Sequence, residues 1–192
     1  SALRQECAII NLNLSQLKLN LMKTVTINLY QFSELSDEAK EKAISNLSDI
    51  NVDFDWWTNT YEDAARIGLK ITSFDLDRNR NAKGQFTLSA NEVAQNIFNE
   101  HGEECETYKT AKSFMEEWQP IFNDYMNENS ENYESRESED KLQDLEDDFK
   151  NSILEDYSIL LQHECEYLQS EKAIIETIEA NEYDFTEDGK LQ

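Results

Sequence analysis

Leu142, Leu145, Phe149, Ile153, Tyr157, Leu160 and Leu168 recur at near-helical spacing, interrupted by one polar position, Glu164, over about seven turns. A helix of that length spans about 40 Å at a rise of about 1.5 Å per residue, so the remaining elements must be arranged along it. The chain has 192 residues, which is the length of one ordinary domain with room for an appendage.

Shorter elements are legible on either side. Thr24 to Tyr30 alternates, with Val25, Ile27 and Leu29 on one side, and predicts a half-buried strand. Ser36 before Asp37 and Glu38 supplies a helix cap with a negative first turn, and Ala39, Ala43 and Leu47 form one face. Phe54, Trp57, Tyr61, Ala64 and Ala65 predict a second helix that Gly68 ends.

Leu69 to Asp77 and Gln85 to Ser89 read as two strands of a hairpin around the polar loop Arg78 to Gly84. Ser89 and Glu92 have capping-box spacing, and Val93, Ala94, Ile97, Phe98 and His101 form one stripe before Gly102. A helix after Thr107 reaches Gln119, where Pro120 either breaks it or opens the next one. Ser170 caps a short helix carrying Ile174, Ile175 and Ile178, and Tyr183 and Phe185 alternate in a terminal strand that returns to the sheet.

The predicted class is therefore α+β, a small antiparallel sheet packed with several helices and a long C-terminal helix. The organisation read from the chain is a leader or upstream extension at 1–21, with Met22 as the natural start, and an α+β core at 22–126. An acidic segment follows at 127–141, either a linker or a solvated helix surface, and then 142–192 completes the same domain.

The net charge is −24, from 41 acidic and 17 basic residues. Residues 121–192 carry −17 of it and the first 120 residues −7. Such a surface repels nucleic acid and complements a basic protein surface that nucleic acid would otherwise occupy. Glu131, Glu134, Glu137, Asp140, Asp144, Asp147 and Asp148 repeat about one helical turn apart and are the candidate partner-binding surface. Arg78, Arg80 and Lys83 cluster near the hairpin as candidate phosphate contacts, so direct DNA binding is open but not favoured.

Other chemistry is poorly supported. Asp75, Asp77 and Asn79 have the opening spacing of a calcium loop, but Arg80 stands where the glycine turn belongs and Phe86 where the closing Glu belongs. His101 with Cys105, and His163 with Cys165, do not match the spacing of a common zinc finger. The chain has 4 glycines and no phosphate-cradling loop or nucleophile elbow, so no catalytic residue, metal or cofactor is expected and the protein is read as not an enzyme. Three widely spaced cysteines, Cys7, Cys105 and Cys165, point to reduced thiols in the cytoplasm, and no run has the length and apolarity of a membrane span.

From Met22 onward the chain resembles a family of small acidic proteins encoded by bacteriophages, prophages and other mobile elements, some labelled antitoxin-like. The blocks that carry the resemblance are Leu29 to Lys40, Glu62 to Arg78, His101 to Ala111 and Ile153 to Gly189. In size, charge and implied origin it also looks like anti-CRISPR and antirestriction proteins. The resemblance implies a phage-derived inhibitor of a host defence nuclease, acting in the host cytoplasm by protein binding and DNA mimicry. The alternative is an antitoxin-like protein that neutralises a basic toxin, with Trp56, Trp57 and Tyr61 as its hydrophobic contact.

Overall fold

Residues 25–128 and 135–192 are described in the computed structural model of the protein, with side chains described for 25–126 and 138–192. The leader expected at 1–21, the start at Met22 and residues 129–134 of the acidic segment lie outside the described residues. The described residues form six α-helices and two separate two-stranded antiparallel sheets, an α+β arrangement with a long helix near the C-terminus. They fall into two units, residues 25–46 with 181–192, and residues 47–128 with 135–180. The divisions therefore fall near residues 46 and 180.

In the first unit, β1 (Tyr30–Gln31) pairs with β4 (Asp184–Phe185), placing Tyr30 opposite Phe185 and Gln31 opposite Asp184. Phe32 and Phe185 are buried with ring centroids 6.1 Å apart. Helix α1 (Asp37–Asn46) follows, its first turn capped by the Ser36 hydroxyl accepting from the Ala39 amide at 3.3 Å, and it buries Ala39 and Ala43. The strand expected over Thr24 to Tyr30 is reduced to its end, and Val25, Ile27 and Leu29 are exposed. The partner sets this limit. Glu182 has a φ of 50° and a turn runs from Thr186 to Gly189, so β4 offers only two residues to the ladder.

The second unit is built on α5 (Ser135–Leu168), 34 residues long and about 51 Å in length. It starts before the Leu142 expected from the apolar stripe, so residues 135–141 of the expected linker are helical. Helix α4 (Glu106–Glu128) packs along it and runs through Pro120. Proline removes one amide donor from the helix ladder. Here Pro120 and Glu116 are exposed, so water can serve the freed carbonyl, while the packed stripe of Phe114, Trp118 and Phe122 continues across the site.

Helix α2 (Thr58–Ile67) begins after Phe54 and Trp57 and ends at Gly68, whose φ of 93° provides the left-handed cap. Strands β2 (Leu69–Asp75) and β3 (Asn81–Phe86) form the hairpin, with a register shift at Thr72 whose hydroxyl donates to the Lys83 carbonyl. A Cβ at Gly84 would stand 2.5 Å from the Lys70 carbonyl oxygen and 3.1 Å from Leu154 Cδ2, so glycine permits the strand to lie this close to α5. Helix α3 (Ala90–Glu100) has the expected capping box between Ser89 and Glu92.

The core of this unit is drawn from all these elements, with Ile67, Leu69, Val93, Ile97, Ile153 and Tyr157 almost fully buried. Phe149 stacks on Phe114 at 4.1 Å and meets Phe86 at 5.4 Å. Helix α6 (Glu171–Ala180) follows, capped by Ser170 as expected. Buried Asn51 donates to the Leu168 carbonyl and accepts from the Thr177 hydroxyl, tying the loop before α2 to the ends of α5 and α6. The terminal strand joins β1 and not the hairpin.

Candidate functional site

Successive residues of an α-helix are rotated by about 100°. With Leu142, Phe149 and Ile153 turned into the core, that rotation carries Asp140, Asp144, Asp147 and Asp148 to the opposite, exposed side of α5. Lys150 donates to Asp147 at 2.7 Å and holds its carboxyl below the usual range, with a further hydrogen bond from Gln143. Among the described residues, no basic side chain lies within ion-pair distance of Asp140, Asp144 or Asp148. Glu131 and Glu134 lie outside the described residues, and Glu137 lies on α5 with its side chain outside them.

The three candidate phosphate contacts are separated by the fold. Arg78 is exposed beside a shallow depression with Asp75, Asp77 and Asn79, and Lys83 is exposed on β3. Arg80 instead turns onto α5, where Nε donates to Ser158 Oγ at 3.1 Å, Nη1 to Gln162 Oε1 at 2.7 Å and Nη2 to Glu155. A phosphate at Arg80 would have to displace those acceptors. The calcium-like opening has a local explanation, because Asp75 Oδ1 accepts from the Asp77 amide at 2.9 Å and holds the hairpin turn.

A second site was not legible as such. His101, Cys105 and His163, weighed from sequence as metal ligands against a helix-face histidine and reduced thiols, line one cavity of about 390 Å³ in the second unit. Asp63, Glu100, Glu106, Thr107 and Asp156 complete its polar wall, and Ile159 and Leu160 its apolar wall. No three His, Cys, Asp or Glu side chains converge as a metal site among the described residues. Cys165 is not part of this wall; its thiol lies 3.7 Å from Gln169 Oε1, and burial raises its pKa.

The cavity wall contains a chain of hydrogen bonds. His101 Nδ1 and Thr107 Oγ1 are 2.7 Å apart, and Tyr157 Oη donates to Asp63 Oδ2 at 2.8 Å. His101 Nε2 lies 3.4 Å from the same carboxylate oxygen, close enough for Coulombic attraction but without hydrogen-bond alignment, so this buried nitrogen has no hydrogen-bond partner.

Asp63 and Asp156 are shifted in opposite directions. Burial pushes Asp63 up, but hydrogen bonds from Arg66 and Tyr157 and the nearby His101 and Arg66 outweigh it and hold the carboxyl below its ordinary value. Asp156 is raised by burial, with Glu106 and Glu155 adding to the effect and a 2.8 Å hydrogen bond from Thr110 only partly opposing it. Burial and the hydrogen bond to Asp63 raise the Tyr157 phenol well above its ordinary value, so it remains a donor. No signal of spacing marks Asp63 or Asp156, because their shared site depends on α2 and α5 meeting.

No family model, curated protein or solved structure matches the chain. No helix among the described residues is long and apolar enough to cross a membrane.

Proposed function

We propose that this protein is an inhibitor of a nuclease or another nucleic-acid-binding protein, one that occupies the target's basic surface with the carboxylates of α5. In this reading it is a phage-derived antagonist of a host defence nuclease, of the anti-CRISPR or antirestriction kind, acting in the host cytoplasm without catalysis. The supporting observation is the exposed row Asp140, Asp144 and Asp148, which has no ion-pairing base among the described residues. These three carboxylates recur about every 6 Å along the helix, wider than the roughly 3.4 Å spacing of phosphates along one DNA strand, so the row is a negative stripe and not a phosphate-by-phosphate copy.

An antitoxin-like reading has its own support. Trp56, Trp57, Tyr61 and Phe74 form a half-buried aromatic group whose ring centroids lie 5.4–6.3 Å apart. A basic toxin gripped there would depend on a few aromatic anchors, whereas a charge decoy depends on many dispersed acids.

The test is a DNA-cleavage assay with a Cas9-type nuclease and a panel of restriction enzymes, adding the protein before or after DNA. Inhibition confined to addition before DNA, weakened by salt and by the combined D140N, D144N, D147N and D148N substitutions, is the expected result. Absence of inhibition and of binding across the panel would overturn the proposal. Dependence on Trp56 but not on the four acids would favour the toxin antagonist.

A further inference from the structure

The cavity between His101 and Leu160 has three properties of a built site. Its volume of about 390 Å³ is at the small end of the range that holds organic ligands. It has an apolar side from Ile159 and Leu160, and a side of carboxyl groups with no Lys or Arg in the lining. His101, with only 9% of its side chain exposed, contributes a buried Nε2 without a hydrogen-bond partner.

The carboxylates in the wall differ in availability. Asp63 already accepts hydrogen bonds from Tyr157 and Arg66, and Glu106 pairs with Lys109 at 2.8 Å. Asp156 has a single hydroxyl donor, Thr110, and no cation within ion-pair distance among the described residues. It also lines the next depression along α5 with Asp148 and Ser152, so the cavity borders the acidic row proposed as the inhibitory surface.

We propose that this cavity binds an organic cation, a guanidinium or ammonium group on a short aliphatic stem, with Asp156 as its anchoring carboxylate and Ile159 and Leu160 flanking the stem. An apolar wall beside a half-buried carboxylate matches that ligand chemistry. A simple metal ion would leave the wall unused, and an anion would be repelled. Resting on the inhibitor reading, the natural source is an arginine or lysine side chain of the basic target, which would make this cavity a point anchor within a dispersed electrostatic contact. The other source is a free small amine.

The experiment titrates agmatine into the intact protein by NMR, following the His101 ring and the amides of Thr107 and Asp156. Neutral 1-butanol and an arginine-containing peptide with blocked ends are titrated in parallel. Agmatine is expected to shift these signals saturably and 1-butanol to bind at least tenfold more weakly. D156N and L160W should each weaken agmatine at least tenfold, while E139Q, outside the cavity, should leave it unchanged. Leu160 is 46% exposed, so L160W blocks the mouth without filling the core.

Tighter binding of the blocked peptide than of agmatine assigns the site to a partner's side chain, and the reverse order assigns it to a free amine. Equal binding of 1-butanol and agmatine, or indifference to both D156N and L160W, would overturn the proposal. Agmatine binding without nuclease inhibition would overturn the inhibitor reading alone. Nuclease inhibition without agmatine binding would overturn the cation site alone.

Discussion

The two halves of α5 follow the same helical period and use their polar residues in opposite ways. Over residues 138–151 most of the acids face water, the half-buried Glu146 instead accepting from Trp118 at 3.2 Å, and the apolar side is covered chiefly by α4 through Phe114 and Trp118, with Phe86 of β3 reaching Phe149. Over residues 153–163 the hairpin and α2 also press on the helix, and the polar groups are drawn into partnerships. Ser158 is fully buried beneath Arg80, Tyr157 serves Asp63, and Asp156 takes the Thr110 hydroxyl. The difference teaches that exposure on this helix is set by what packs against each turn; periodicity sets only which side is apolar.

Cutting the buried half is expected to have the largest effect. Ile153 has no exposed surface, so I153A should destabilise the protein by about 2–5 kcal/mol in urea unfolding, as expected for a methyl-lined cavity in a packed core. A loss under about 1 kcal/mol would mean that the packing around this turn readily collapses.

Removing the Tyr157 hydroxyl probes the next level. Y157F should cost about 1–3 kcal/mol, since it withdraws a hydrogen bond from a charged carboxylate while retaining the ring. The pH dependence belongs to Asp63, whose folded pKa is lowered. Its ionised form contributes stability above the unfolded carboxylate pKa of about 3.9, and that contribution is lost as pH falls through the lower folded value. The deficit of D63N should therefore be full at pH 7 and shrink toward pH 2. A deficit that grows in acid would contradict this assignment.

Arg80 belongs to the buried half of the comparison, because it carries a hairpin side chain onto Glu155, Ser158 and Gln162 of α5. R80M is expected to lower stability by about 1 kcal/mol, the ion pair being partly solvated and the hydrogen bonds carrying most of the effect. Faster amide exchange should appear in β3 and around Ser158, with the 138–151 half unchanged.

The smallest effect on stability should come from the exposed half. The combined D140N, D144N, D147N and D148N protein should unfold at an unchanged or slightly higher urea concentration, because exposed like charges repel and little packing is lost. A clear destabilisation would show that these acids have a structural role and would weaken their assignment as a partner surface.

Much of the fold was legible before any tertiary contact was known. The apolar stripe marked α5, Ser89 with Glu92 marked the start of α3, and Gly68 marked the end of α2. Those features depend on residues within a turn or two of each other, where spacing and backbone preference act directly. The strand expected from Val25, Ile27 and Leu29 fell short because alternation describes a side-chain pattern and says nothing about the length of the partner strand. Pro120 was ambiguous because its effect depends on whether neighbouring packing outweighs one lost amide bond.

By itself the sequence determined the helical periods, the caps and the concentration of negative charge toward the C-terminal part of the chain. Tertiary structure decided which acids remain exposed, why Arg80 is engaged, and that His101 shares a cavity with Asp63 and Asp156. The bonds responsible join residues far apart, with sequence separations of 94 for Tyr157 and Asp63, 78 for Arg80 and Ser158, and 46 for Thr110 and Asp156. Hydrogen bonds and desolvation act over a few ångströms, so these pairings come into existence only when packing brings distant segments together.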